Sequence, residues 1–275
     1  MSIHLERLDL HKPTRRETLA SLAAAAAVTL AGGRAAFAGE EPPVVAAAAD
    51  LQFALAEIAD AFQSRTGLAV RTTFGSSGNF ARQIRQGAPF ELFLSADESY
   101  VLDLARDGLA RDEGVLYALG RIVLIVPHGS PLEPDGALDD LAAAAADGRL
   151  GRFAIANPEH APYGRRAEEA LRHKGLWEAV APKLVLGENV SQAAQFATSS
   201  NASGGLIAYS LAVSPQVSAR GRFALVPAEW HSPLRQRRAL VGRAGETATR
   251  FYRFLQEEPA RAIFRTYGFS LPGEP

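Results

Sequence analysis

Four short stretches place a strand-like run directly before a helix-like one, with small or polar residues at the join. They are "AAAADLQFAL" (46–55), "TFGSSGNFARQI" (73–84), "NPEHAPYGRRAEEAL" (157–171) and "GENVSQAAQF" (187–196). The first N–H groups of a helix have no intrahelical partner and sit at the positive end of its dipole. Several such ends facing one cleft would bind a dehydrated anion without a cationic side chain. The hydroxyls of Ser76, Ser77 and Tyr163 add donors, and Gly75 and Gly78 permit close backbone approach. Asp, Ser and Asn before a helix are also ordinary N-caps, and Gly-Ser loops are common. Each stretch taken alone is compatible with a plain loop or with an anion cradle.

Other chemistries have less to build on. Gly75-Ser76-Ser77-Gly78 lacks the G-x-S-x-G spacing of a nucleophile elbow. After the N-terminal segment the histidines are His128, His160, His173 and His231, none paired at metal-ligand spacing, so no metal-cation site is expected. No Walker-type loop or dinucleotide fingerprint appears, so no cofactor is expected. The net charge is −1, and Arg235, Arg237 and Arg238 form only a short cluster, which reads as a solvated face; no nucleic-acid partner is expected.

The elements that must hold these junctions alternate along the chain. Val44 to Ala49 reads as a buried strand, and Leu51, Leu55, Ile58 and Phe62 recur at helical spacing up to Gly67. The alternation continues through "LAVRTTF", "NFARQIRQG", "PFELFLSA" and "DESYVLDLARDG", with Asp97 as a cap, to the apolar strand "GRIVLIVP". "PHGSPLEPDG" (127–136) reads as a loop and a crossing point between lobes. A second α/β series follows. This pattern predicts an α/β fold of two similar lobes, each a mostly parallel sheet flanked by helices, with a ligand cleft between them.

The first forty residues differ in kind. Lys12, Arg15 and Arg16 precede the apolar, Ala-rich run from Leu19 to Gly33, followed by "AFA" at 36–38. This is the order of an export signal, with cleavage expected after Ala38. "TRRETLA" resembles a twin-arginine signal, except that Thr18 replaces the usual large apolar residue, so the general secretory route stays open. The sequence has no cysteine, which leaves neither disulfides nor a lipid-modified cysteine, and the expected destination is the periplasm.

Taken together, the serine loop with "QGAP" and "SADE" (74–98), "NPEHAPYG" (157–164) and "AIFRTYGF" (262–269) resemble the periplasmic molybdate-binding proteins of ABC importers. The resemblance covers essentially the whole chain after the signal. It implies a type II periplasmic binding protein with a two-crossing hinge, lobe I at 39–127 and 230–275 and lobe II at 128–229. It further implies molybdate or tungstate as ligand, an ABC permease as partner, a monomer, and no enzymatic activity. The implied ligand-binding residues are Asp50, Ser77, Tyr163 and Val190, with Ala49, Ser76 and Tyr209 as weaker candidates. The alternatives are a receptor for another oxyanion, protonated or not, such as phosphate, and a periplasmic hydrolase on a similar scaffold.

Asp50 departs from the family pattern, which favours serine, threonine or asparagine there. Its carboxylate either caps its own helix, the account favoured from sequence because Asp is a strong N-cap, or accepts a proton from a protonated oxyanion.

Overall fold

The computed structural model describes residues 41–274, so the expected export signal lies outside the described residues. No helix among the described residues is long and apolar enough to cross a membrane.

The first lobe begins with β1 (Val44–Ala48), a single 3-10 turn (Ala49–Leu51) and α1 (Gln52–Thr66). Leu55, Ile58 and Phe62 are buried on one face of α1, and Gly67 ends it in a left-handed conformation at φ 71°. β2 (Arg71–Gly75), α2 (Ser77–Arg85), β3 (Leu92–Ser95), α3 (Glu98–Arg106) and β4 (Val115–Gly120) follow. The second lobe contains β5 (Ile122–Pro127), α4 (Asp139–Asp147), β6 (Arg152–Ala156), α5 (Pro162–His173), α6 (Trp177–Val180) and β7 (Leu184–Gly187). It ends with α7 (Val190–Ala197), β8 (Ala202–Ala208), α8 (Tyr209–Ala212), α9 (Pro215–Ser218) and β9 (Gly221–Leu225). The chain then returns to the first lobe with β10 (Leu234–Leu240), α10 (Glu246–Phe254) and α11 (Glu258–Thr266).

The two-lobed α/β architecture is the expected one, and both sheets are mixed. Their strand orders are β2-β1-β3-β10-β4 and β7-β6-β8-β5-β9. Each has a parallel half, β2-β1-β3 or β7-β6-β8, and an antiparallel half. β5 and β10 occupy matching places, and each is the first strand after a crossing between lobes. The chain arriving from the other lobe enters the sheet from its opposite end, so these two strands run against their neighbours.

The first crossing is therefore the single residue Arg121, between β4 and β5, rather than the loop at 127–136. "GRIVLIVP" belongs to the second sheet, and its glycine closes the last strand of the first. The second crossing spans residues 226–233. The two are tied together, because the Arg121 guanidinium donates to the Val226 carbonyl at 3.1 Å.

Side-chain alternation packs each sheet on both faces. In the first lobe Val45, Ala47, Leu92 and Leu94 face a cluster with Phe62, Phe251 and Phe264, while Ala46 and Phe93 face Phe80, Ile84, Val101 and Leu104. Helices cover both faces of the inner strands, so β1 and β3 are apolar almost throughout while the edge strand β2 keeps Arg71, Thr72 and Thr73, and the carboxyl ends of the parallel strands face the other lobe.

Candidate functional site

The four strand–helix junctions converge on one cavity between the lobes, with a volume of about 10 Å³. That is room for about one water-sized sphere, far below the roughly 300–1,000 Å³ of pockets for drug-sized molecules. Ala49, Asp50, Ser76 and Ser77 line it from the first lobe, and Tyr163 and Val190 from the second.

Local capping decides which N–H groups point to this space. Ser76 is the N-cap of α2 and accepts from the Asn79 N–H; Asn189 caps α7 and accepts from Ser191 and Gln192. A cap side chain satisfies the second or third helical N–H and leaves the first one unserved. In α2 and α7 those first residues are Ser77 and Val190, and both line the cavity. α5 starts with Pro162, which has no N–H, so Tyr163 carries its first donor, and no side chain caps that helix.

The two serines have separate tasks. The Ser77 Oγ accepts from the Ala96 N–H at 3.0 Å, which leaves its own hydrogen to donate elsewhere. Ser76 is taken up by its cap and by the His160 ring, whose Nδ1 lies 2.9 Å from the Ser76 Oγ across the lobe boundary. The glycines of the loop serve packing: a Cβ on Gly75 would meet the Phe80 ring at 2.9 Å, and one on Gly78 would meet the His160 carbonyl at 2.6 Å. The Gly78 N–H also donates to that carbonyl at 3.0 Å, so the Gly-Ser loop is a point of contact between lobes as well as a cavity wall.

Asp50 is 1% exposed and does not cap its helix. Its Oδ2 accepts from the Tyr163 phenol at 2.9 Å and from the Gln236 amide at 2.6 Å, while its Oδ1 is buried with no hydrogen-bond partner among the described residues. The capping account favoured from sequence is thereby replaced by a side-chain network. Burial pushes the Asp50 carboxyl up from 3.8 to about 6, against the opposing pull of Gln236 and Tyr163. Burial, and then the nearby Asp50 charge, hold the Tyr163 phenol well above its ordinary range, so it stays a neutral donor. Gly120, the last residue before the first crossing, makes room for this cluster, since a Cβ there would lie 2.3 Å from the Tyr163 hydroxyl.

Further contacts join the lobes around the cavity. Arg166 on α5 pairs with Asp97 at 3.2 Å, Asn79 donates to Glu188, and the Ser210 hydroxyl donates to the Asp50 carbonyl at 2.8 Å.

With this geometry in place, the comparisons with known proteins are specific. Residues 43–270 match the family model described as bacterial extracellular solute-binding protein. The chain belongs to that family. This solute-binding protein is 36% identical over 225 residues to the molybdate-binding protein ModA of Rhodobacter capsulatus, covering 81% of this chain and 85% of the relative. It is 34% identical to the molybdate-binding protein ModA of Escherichia coli, covering 82% and 87%. Its fold superposes on the periplasmic molybdate-binding protein of Azotobacter vinelandii with a TM-score of 0.75 at 29% identity, covering 84% and 99% of the two chains.

Not every residue picked out from the sequence of this solute-binding protein lies at the cavity. Tyr209 does not line it: its ring packs edge-on against Phe223 at 6.0 Å, and it is the following residue, Ser210, that reaches the Asp50 turn. Arg238 is not on a solvated face but fully buried, against the rings of Tyr117 and Tyr252; Arg235 and Arg237 pair with Glu98. Gln236, Tyr117 and His160 are the polar neighbours of the site that local sequence reasoning missed. The one signal was a glutamine between basic residues on a strand that is otherwise destined for the core.

Proposed function

We propose that this chain is a periplasmic receptor that captures molybdate, or tungstate, in the cleft between its lobes and delivers it to an ABC permease. The observation that carries this reading is the meeting of the first free N–H groups of several helices and the Ser77 hydroxyl at one small, buried cavity. Ser77 donates its hydroxyl hydrogen, and the N–H groups at Asp50, Ser77, Tyr163 and Val190 complete the shell, with Ala49 as wall. These groups bind oxygen atoms of the anion and leave its metal centre untouched. Helix dipoles compensate the charge in a site from which water is excluded.

Closure is a hinge motion about the crossings at Arg121 and residues 226–233, and the contacts of Gly78, Asn79 and Asp97 with the second lobe form as the cleft shuts. The names of the relatives support molybdate as ligand; tungstate shares its size and charge and is bound by the same donors. The receptor acts as a monomer after removal of its signal behind Ala38.

Crystals grown with molybdate test the site. The anomalous peak of molybdenum should lie where its oxygens reach the Ser77 Oγ and the N–H groups of Ser77 and Val190. A bound anion elsewhere would refute this assignment.

A further inference from the structure

We propose that Asp50 carries a proton in the anion complex, held by Gln236 so that its Oδ1 shares that proton with one oxygen of the bound oxyanion. This inference rests on the reading of the cavity as an oxyanion site and adds a proton to its stoichiometry.

The hydrogen bonds around Asp50 leave one place for such a proton. The Tyr117 phenol donates to the Gln236 Oε1 at 2.7 Å, which turns the amide nitrogen of Gln236 towards Asp50. That nitrogen and the Tyr163 hydroxyl both donate to Oδ2, so Oδ2 is fully engaged as an acceptor. Oδ1 is buried and unpartnered, and Asp50 lines the cavity. A buried carboxylate oxygen without a donor is costly, and a proton on it converts it into a donor suited to an anion.

Among the described residues no Lys, Arg or His pairs with the carboxylate, whose bonded partners are Tyr163 and Gln236. Gln236 reaches it from β10 with Tyr117 of β4 behind it, Tyr163 from α5 and Ser210 from α8, and Val190 of α7 lines the same cavity. From β2 and the start of α2 the cavity beside it is lined by Gly75, Ser76 and Ser77, and the His160 ring is bonded to Ser76. On the same sheet the Arg238 guanidinium lies over the rings of Tyr117 and Tyr252. Both phenols of the network are neutral, since burial holds them well above their ordinary range. Without an anion, burial already places the Asp50 carboxyl at about 6. A dianion beside it raises it further, because two like charges disfavour ionisation.

The balance is one anion and one proton in the complex. A dianion that binds ionised Asp50 takes a proton from solvent onto Oδ1; an anion that already carries a proton donates it to the Oδ1 carboxylate. The site thus distinguishes tetrahedral oxyanions by whether they bring a proton, in addition to size. Gln236 is a positioning residue in this arrangement.

Calorimetric titration of the mature protein tests this, with molybdate, sulfate and phosphate from about pH 5.5 to about pH 8.5 in two buffers of different ionisation enthalpy. Near pH 8 the wild type should take up about one proton per molybdate, and its affinity should fall about tenfold per pH unit above pH 6. Phosphate, protonated throughout that range, should show a shallower decline. Asp50→Asn, which presents a fixed amide donor, should take up no proton and bind molybdate with the same affinity across the range. Gln236→Met should move the onset of the decline to higher pH, because a bond that favours the ionised carboxylate is lost. Molybdate binding by the wild type without proton uptake and without pH dependence overturns this inference and leaves the receptor reading intact. Failure of all three anions to bind at any pH overturns both.

Discussion

The phenol of Tyr163 in the second lobe donates to Oδ2 of Asp50 in the first, at 2.9 Å and out of contact with solvent. This bond joins two of the strand–helix junctions that face the cavity, and it gives the Tyr163 hydroxyl hydrogen to a carboxylate instead of to a ligand. The donor that Tyr163 leaves for an anion is its backbone N–H.

The raised Asp50 carboxyl makes stability depend on pH. Its folded value of about 6 exceeds the ordinary 3.8, so the unionised form favours the folded state. The contribution is fully present below pH 3.8 and is lost as pH rises through 6, with a total of about 3 kcal/mol for about two units. The gain in unfolding free energy of Asp50→Asn over the wild type should thus be larger at pH 7 than at pH 4 by about that amount. Urea unfolding of the anion-free proteins at both pH values measures it, and an equal gain at both would show that Asp50 does not titrate in this way.

Ser77 is completely buried, and its oxygen already accepts from Ala96. Ser77→Ala therefore removes the hydroxyl donor to the anion while the N–H of the residue stays in place. Molybdate affinity should fall by about 1–3 kcal/mol, the usual range for a lost buried donor, in calorimetric titration. Unchanged affinity would remove Ser77 from the site.

Gly78 brings the lobes into contact. A Cβ there would sit 2.6 Å from the His160 carbonyl and 2.8 Å from the Tyr100 hydroxyl, both closer than packed atoms allow. Because its φ is not in the left-handed region, alanine suits its helix, and the expected defect of Gly78→Ala is incomplete closure. Small-angle scattering with saturating molybdate should give a larger radius of gyration than for the wild type, with an unchanged melting profile for the anion-free protein. Identical radii would show that this contact does not limit closure.

Much of this architecture was legible in the sequence. The helical spacing of Leu55, Ile58 and Phe62, the Asp97 cap and the glycine at 67 are local signals, and the structure realises each of them. The four junctions were legible for the same reason, since capping residues and a change of hydrophobic period mark them. What local pattern does not encode is which strand pairs with which. β4 ends at Gly120 and β5 begins two residues later, so a crossing between lobes reads as one continuous apolar run. Gln236 looked like part of a solvated basic stretch because its partners, Asp50 and Tyr117, lie more than a hundred residues away. Asp50 looked like a cap for a related reason: the N-cap preference of aspartate is local, and the network that claims its side chain is not.

The most direct test of the receptor reading is calorimetric titration of the mature protein with molybdate, tungstate, sulfate and phosphate near pH 6. One molybdate or tungstate should bind per chain, more tightly than sulfate or phosphate. A protein that binds none of the four, with its fold intact, would contradict the central claim.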